Sequence, residues 1–113
     1  MLPRRLERLQ WRTLDSGARV AEADTFRGRL LGLALLRDIP DGHALLIPRC
    51  RSVHTFGMRF PLDLVFLDAH GHVLRVERAV PPWRVRRRPG AYAVLEARAG
   101  EAHLFTGGPR SAG

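Results

Sequence analysis

The stretch CRSVHTFGMRFPLDLVFLD, residues 50–68, decides the fold of this chain. It ends in LDLVFL, residues 62–67, which is apolar at every position except Asp63. A continuous apolar run of this length predicts a strand that is covered on both faces. The same stretch contains the only cysteine and one of the two methionines, and Gly57 breaks it with a bend. We therefore expect the rest of the chain to serve as a scaffold around this segment.

The flanking sequence adds further short strands. Residues 8–14 and 18–23 alternate between polar and apolar, and the turn-forming Asp15-Ser16-Gly17 between them predicts a β-hairpin. More strands are predicted over residues 44–48, 73–80, 92–97 and 102–105. Residues 49–55 are expected to continue the strand of residues 44–48 or to pair with it.

One helix is predicted after the hairpin. Phe26, Leu30, Leu33 and Ala34 recur at the spacing of one helix face, and the turn at residues 39–42 ends the pattern. About seven short strands and one helix predict a mainly β domain, a small antiparallel β-sandwich or partly open, jelly-roll-like barrel. We expect residues 1–113 to form a single domain, with a flexible tail over residues 106–113.

The composition restricts the class of protein. The single cysteine excludes an internal disulfide, and the chain shows neither a signal-peptide core nor a run long enough to span a membrane. We therefore expect a soluble, cytoplasmic protein. All 19 basic residues are arginines, the net charge is +8 and the isoelectric point is about 11.6. Such a balance favours association with nucleic acid, an anionic membrane or an acidic partner.

The favoured function is a ligand- or partner-binding module with a pocket around the 50–68 segment. In this interpretation His54 and Thr55 supply directed hydrogen bonds, while Met58 and Trp83 supply apolar walls. Two carboxylates in apolar runs complete the set, so the candidate ligand-binding residues are His54, Thr55, Met58, Asp63, Trp83 and Glu96.

The two carboxylates also have a structural interpretation. A buried carboxylate needs a partner, and we expect Asp63 to pair with Arg59 or with an arginine of a neighbouring strand. Asp63 and Glu96 would then tie loops to strands.

A nucleic-acid-binding module is the first alternative. Four arginines, Arg84, Arg86, Arg87 and Arg88, follow Trp83 directly, and Tyr92 is near in sequence. Arginine combined with aromatic side chains is typical of single-strand binding on small β-barrels. The competing interpretation of this run is a solvated arginine face. Binding through it predicts an affinity that falls steeply with added salt.

A soft-metal protein or a Cys/His-based enzyme is the second alternative. Cys50, His54 and Met58 have the spacing C-x3-H-x3-M, and thiolate, imidazole and thioether suit copper. The pattern resembles the metal loop of blue-copper proteins, whose first histidine lies well upstream, whereas His43 is too close. Cys50 and Met58 are equally suited to a core. We favour a role other than catalysis and assign no catalytic residue and no cofactor.

The order of these motifs resembles the bacterial and archaeal family known as domain of unknown function 192. The resemblance runs from about residue 26 to residue 105 and is carried by three segments: residues 29–36, the Pro-Leu-Asp and Phe-Leu-Asp of residues 61–68, and Leu95, Glu96 and Gly100. It implies a mostly β, sandwich-like domain with a short helix. It implies no activity, because the family has no assigned one.

The chain departs from the family pattern at two places. Many members carry Trp-Met-Lys-Asn-Thr where this chain has HTFGM, residues 54–58, so the Cys50, His54 and Met58 set is not a ligand set of the family. Members also commonly carry a Gly-Asp turn after the last strand, where this chain has Gly107-Gly108-Pro109. Some relatives carry export signals, so their location does not transfer.

Overall fold

A six-stranded sheet forms the centre of the protein. The computed structural model describes residues 4–23 and 39–106. In chain order its elements are α1 (Arg4–Glu7), β1 (Trp11–Thr13), β2 (Arg19–Glu22), β3 (His43–Pro48), β4 (Ser52–His54), β5 (Leu62–Leu67), β6 (Val73–Val80), β7 (Val85–Arg87), β8 (Ala93–Arg98) and α2 (His103–Thr106). The central sheet has the order β1-β2-β3-β8-β5-β6, and β4 pairs with β7 in a separate two-stranded sheet, here called the ribbon.

This architecture confirms the mainly β class, because the described residues form eight strands in two sheets that do not close into a barrel. The predicted hairpin is β1 and β2, which pair antiparallel with Trp11 opposite Ala21. The strands predicted over residues 44–48, 62–67, 73–80 and 92–97 correspond to β3, β5, β6 and β8. One pairing departs from the predicted antiparallel pattern, since β2 and β3 run parallel. Parallel neighbours need a long crossover, and residues 24–42 are long enough to provide it.

Two predicted elements are wrong. Residues 49–55 neither continue nor pair with β3, because β4 pairs instead with β7. Residues 102–105 do not form a strand; they belong to the turn that leads into the short helix α2. There the N–H of Leu104 donates to the carbonyl of Glu101 and that of Phe105 to the carbonyl of Ala102. The helix predicted from Phe26 and the tail beyond Thr106 lie outside the described residues.

The core lies on both faces of the central sheet. Because side chains alternate along a strand, β5 sends Leu64 and Phe66 to one face and Val65 to the other. The first face, here called the ribbon face, also packs against Val53 and Met58 of the ribbon and its turn. The opposite face is built from small and branched residues, namely Val20, Ala44, Val65, Leu95, Ala97 and Ala102. Within the described part of the chain, no helix is long and apolar enough to cross a membrane.

Candidate functional site

Asp63 is fully buried, and backbone amides satisfy its carboxylate. Its Oδ1 accepts the N–H of Ala79 at 2.9 Å, and its Oδ2 accepts those of Gly100 and Ala102 at 3.0 Å each. The expected arginine partner is therefore wrong, because amides of three residues occupy the carboxylate instead. Asp63 ties the end of β6 and the turn before α2 to the central strand β5.

The second buried carboxylate, Glu96, faces away from Asp63. In the pairing of β5 with β8, Asp63 lies opposite Ala97 while Glu96 lies opposite Leu64. Ala97 belongs to the opposite face of the sheet and Leu64 to the ribbon face. Since neighbouring residues of a strand alternate between faces, the two carboxylates do not meet in one pocket.

Thr55 joins the turn that follows β4 to the turn that precedes β7. Its side chain is 1% exposed, and its hydroxyl donates to the carbonyl of Pro81 at 2.7 Å and accepts the N–H of Arg84 at 2.8 Å. The N–H of Thr55 donates to the carbonyl of Arg84 at 2.8 Å, and its carbonyl accepts the N–H of Trp83 at 3.2 Å. The hydroxyl thus bridges the two ends of the turn over residues 81–84.

Trp83 occupies an unfavourable backbone position in that turn. Its φ is +67°, in the left-handed region, and it follows Pro82 at the second central position of the turn. A positive φ at this position is typical of a type II turn and favours glycine; the adjoining turn over residues 55–58 has Gly57 there, with φ of +79°. A left-handed residue with a side chain costs about 1–2 kcal/mol. Such strain is concentrated at functional sites, and the Trp83 side chain is 67% exposed.

Trp83 is one of several exposed apolar and ring side chains on the ribbon. Its ring centroid lies 5.6 Å from that of Phe56, which lies 5.1 Å from the ring of His54. Phe56 is 44% exposed, and Val85, which pairs with His54 across the ribbon, is 53% exposed. We call His54, Phe56, Trp83 and Val85 the ring patch. Sequence reasoning missed Phe56, although an aromatic residue beside a turn glycine is a recognisable signal.

His54 is oriented by its own turn. Its Nδ1 lies 3.3 Å from the backbone nitrogen of Phe56 and accepts that N–H. In the neutral ring the proton is then assigned to Nε2 by this bond. His54 is exposed, so the ring adds both a flat surface and a donor to the patch.

Arginines border the ring patch. The guanidinium of Arg84 folds back on its own turn, with Nη1 at 3.3 Å from the carbonyl of Pro82. Arg86 points to the inner side of the ribbon, where its Nε lies 3.4 Å from Glu77. The exposed side chains of Arg87 and Arg88 contact no polar partner in residues 4–23 and 39–106. Two uncompensated positive charges therefore lie on the ribbon, at the end of β7 opposite Ser52 and Arg51.

The three residues of the soft-metal hypothesis lie in different environments. Met58 is 6% exposed within the ribbon-face core, and Cys50 packs against the same core with its Sγ 3.2 Å from the carbonyl of Ser52. His54 lies in the exposed ring patch. Among the described residues, no cluster of three or more His, Cys, Asp or Glu side chains is arranged to hold a metal ion.

A cleft is present at another part of the molecule. It has a volume of about 650 Å³ and is lined by residues of the first two strands and the turn before them: Arg8, Leu9, Gln10, Trp11, Arg12, Val20 and Glu22. None of these belongs to the 50–68 segment. Of the six predicted ligand-binding residues, the structure brings His54, Thr55 and Trp83 together at the ribbon, with Met58 beneath them.

Two solved structures share this fold. A protein of unknown function from Novosphingobium aromaticivorans DSM 12444 is 23% identical, with a TM-score of 0.67 over 84% of this chain and 76% of that one. A protein from Sinorhizobium meliloti 1021, described as a candidate transcription regulator, is 22% identical, with a TM-score of 0.68 over 84% and 82%. Comparison with curated protein sequences gives no match.

The comparison with protein families gives a match over most of the chain. The model of domain of unknown function 192, described as uncharacterized ACR, matches residues 10–106. The match extends the resemblance inferred from the sequence to the β1–β2 hairpin. The chain therefore belongs to the domain of unknown function 192 family.

Proposed function

We propose that this protein binds single-stranded nucleic acid through the ring patch and the arginines beside it. The observation that carries the proposal is Trp83, a large aromatic side chain that is 67% exposed on a strained, left-handed backbone. This proposal keeps the binding role predicted for the 50–68 segment and replaces the expected pocket with an open surface.

The chemistry of the surface fits unpaired bases. Every base has a flat face that stacks on an aromatic ring, and stacking contributes about 1–3 kcal/mol per base. In a duplex these faces are already stacked, so exposed rings favour a single strand. Arg84 follows Trp83 directly, and the exposed Arg87 and Arg88 continue along the same segment, so that they can reach the phosphates of a strand that extends from the rings along the ribbon. The net charge of +8 adds a long-range attraction of the same sign.

The residues have four roles under this proposal. His54, Phe56 and Trp83 contact bases, and Thr55 positions Trp83 through the turn it bridges. Met58 supports the patch from the core. Asp63 and Glu96 stabilise the scaffold. A cytoplasmic location and a role other than catalysis belong to the same proposal.

The direct test is fluorescence anisotropy with labelled oligonucleotides. We expect the protein to bind oligo-dT and oligo-U of about twelve nucleotides more tightly than a duplex of the same length. The logarithm of the binding constant should fall linearly with the logarithm of salt concentration between about 50 and 200 mM. Equal affinity for duplex and single strands, or an affinity independent of salt, would overturn the proposal.

Substitutions separate the stacking contribution from the charge contribution. Trp83→Gly should weaken binding at least about tenfold, whereas Trp83→Phe should retain most of the affinity. Arg87→Gln should reduce the magnitude of the salt slope by about 0.7. The matched control is Arg12→Gln, because Arg12 pairs with Val20 and so lies on the opposite face of the central sheet. An equal effect of Arg12→Gln and Arg87→Gln would show that binding is not localised at the ribbon.

A further inference from the structure

Strand β6 is a long edge of the central sheet. It spans Val73–Val80, and among the strands of residues 4–23 and 39–106 it pairs with β5 alone. Its side chains remain accessible: Val73 is 43% exposed, and Arg75, Arg78 and Ala79 are exposed as well. An edge strand presents a row of backbone donors and acceptors that another strand can pair with.

The charges on β6 are arranged symmetrically around Val76. Arg75 and Glu77 flank Val76 on the same side of the strand, and the Nε of Arg75 lies 2.5 Å from Glu77. When two identical strands pair antiparallel with Val76 opposite Val76, residue 75 of each copy lies opposite residue 77 of the other. This register forms two cross-strand pairs between Arg75 and Glu77, and opposite charges in such positions stabilise a sheet.

The end of the strand limits the length of this pairing. Ala79 has a φ of +50°, and its N–H is turned to Asp63. The pairing of β6 with β5 also shifts by one residue between Val73 and Arg75, so the regular part of the edge is residues 75–77. In the register centred on Val76, residues 75–77 of one copy face residues 77–75 of the other, so the regular part is matched completely.

We propose that β6 is a homodimer interface, at which the β6 strands of two copies pair antiparallel and join the two central sheets into one continuous sheet of twelve strands. The partner is a second copy because the edge is complementary to itself. Arg75, Val76 and Glu77 read positive, apolar, negative along one strand, and the antiparallel copy opposite them reads negative, apolar, positive. This inference does not depend on the proposed function, since the ring patch is on the ribbon and the dimer contact is on the sheet edge.

Site-specific cross-linking tests the register. Residues directly opposite in an antiparallel pair have Cα atoms about 4.5–5.5 Å apart, which suits a disulfide. Val76→Cys should give a disulfide-linked dimer under mild oxidation, because residue 76 faces itself across the two-fold axis. Val73→Cys is the matched control: it lies on the same strand but does not face its own copy. Equal cross-linking of both variants, or of neither, would overturn the register.

Charge reversal tests the interface in solution without a new cysteine. Sedimentation velocity of the full chain, from about 10 to 500 µM, should show a concentration-dependent dimer. Arg75→Glu places two carboxylates opposite each other in both pairs and should raise the dissociation constant at least about tenfold. Glu77→Arg places two guanidinium groups opposite each other and should do the same.

Mixing the two variants restores opposite charges across the interface, so the mixture should dimerise where neither variant does alone. Glu77 also contacts Arg86, so circular dichroism should verify the fold of Glu77→Arg. A wild-type chain that stays monomeric over the whole range would overturn the proposal, as would a dimer that is unaffected by Arg75→Glu.

Discussion

Replacing Asp63 with asparagine tests the structural role of the buried carboxylate. The side chain keeps its size, but only one of its two acceptor oxygens remains. In the more favourable orientation the amide oxygen still accepts the N–H groups of Gly100 and Ala102, and the new NH2 group faces the N–H of Ala79. One hydrogen bond is then lost, two donors face each other, and the two remaining bonds have a neutral acceptor.

The expected loss follows from these three changes. A hydrogen bond to a charged group contributes about 1.5–3 kcal/mol net, and a neutral one about 0.5–1.5 kcal/mol. Losing one charged bond and converting two others therefore lowers the free energy of unfolding by about 4 kcal/mol. That is a large share of the roughly 5–15 kcal/mol that stabilises an ordinary domain. For a domain of this size the melting temperature should fall by about 15 °C.

Urea unfolding followed by circular dichroism measures this loss, with Asp41→Asn as the matched control. The Asp41 side chain is 86% exposed and lies 3.1 Å from Arg98, so its replacement should cost less than about 1 kcal/mol. At temperatures where Asp63→Asn is folded, it should bind oligonucleotide like the wild type. A loss below about 1 kcal/mol, or a folded variant with abolished binding, would refute the structural role and return Asp63 to the candidate binding residues.

Three further substitutions test other contacts. Thr55→Val removes the hydroxyl that joins the ends of the turn around Trp83; it should cost about 2–3 kcal/mol in urea unfolding and weaken oligonucleotide binding in the anisotropy assay. Asp68 accepts the backbone N–H of His72, which lowers the pKa of Asp68 below its ordinary 3.8. The contribution of Asp68 to the stability of the fold is therefore present above pH 3.8 and lost as the pH falls through the lower, folded-state pKa. Asp68→Asn should remove this loss of stability at acid pH, measured by urea unfolding between about pH 2 and 5. Phe66→Ala, at a core position that is 1% exposed, should cost about 3–5 kcal/mol in the same assay.

Local sequence patterns predicted most of the central sheet. The apolar run of β5 and the alternation of β6 were sufficient, because burial and period are properties of a short window of sequence. The ribbon was not predicted, because β4 and β7 are far apart in the chain and each has only three residues. The segment after β8 has the sequence pattern of a strand because it is short and apolar, while the amides of the turn before α2 are held by Asp63 from a distant strand.

The candidate site was likewise predicted only in part, because a short window of sequence shows unusual residues but not their distant contacts. Asp63 was recognised because a charge inside an apolar run is anomalous. Its partners were predicted wrongly because backbone amides leave no signature in a sequence. His54 and Trp83 were named as binding candidates, and the structure brings them together through Phe56, which links their two turns. Only the pairing of distant strands shows that these turns are adjacent.

Because of the hydroxyl of Thr55, the side chain of Trp83 reaches its exposed position only after distant segments of the chain have folded together. The turn over residues 81–84 is joined at its ends by a side chain that lies 26 residues before Pro81. In an unfolded or partly synthesised chain this bridge is absent, and Trp83 has no local reason to adopt a positive φ. The ring patch therefore forms only when both turns dock, so a short peptide containing Trp83 and its arginines will not reproduce the surface. Any condition that separates these two turns will abolish that surface without altering a single ring.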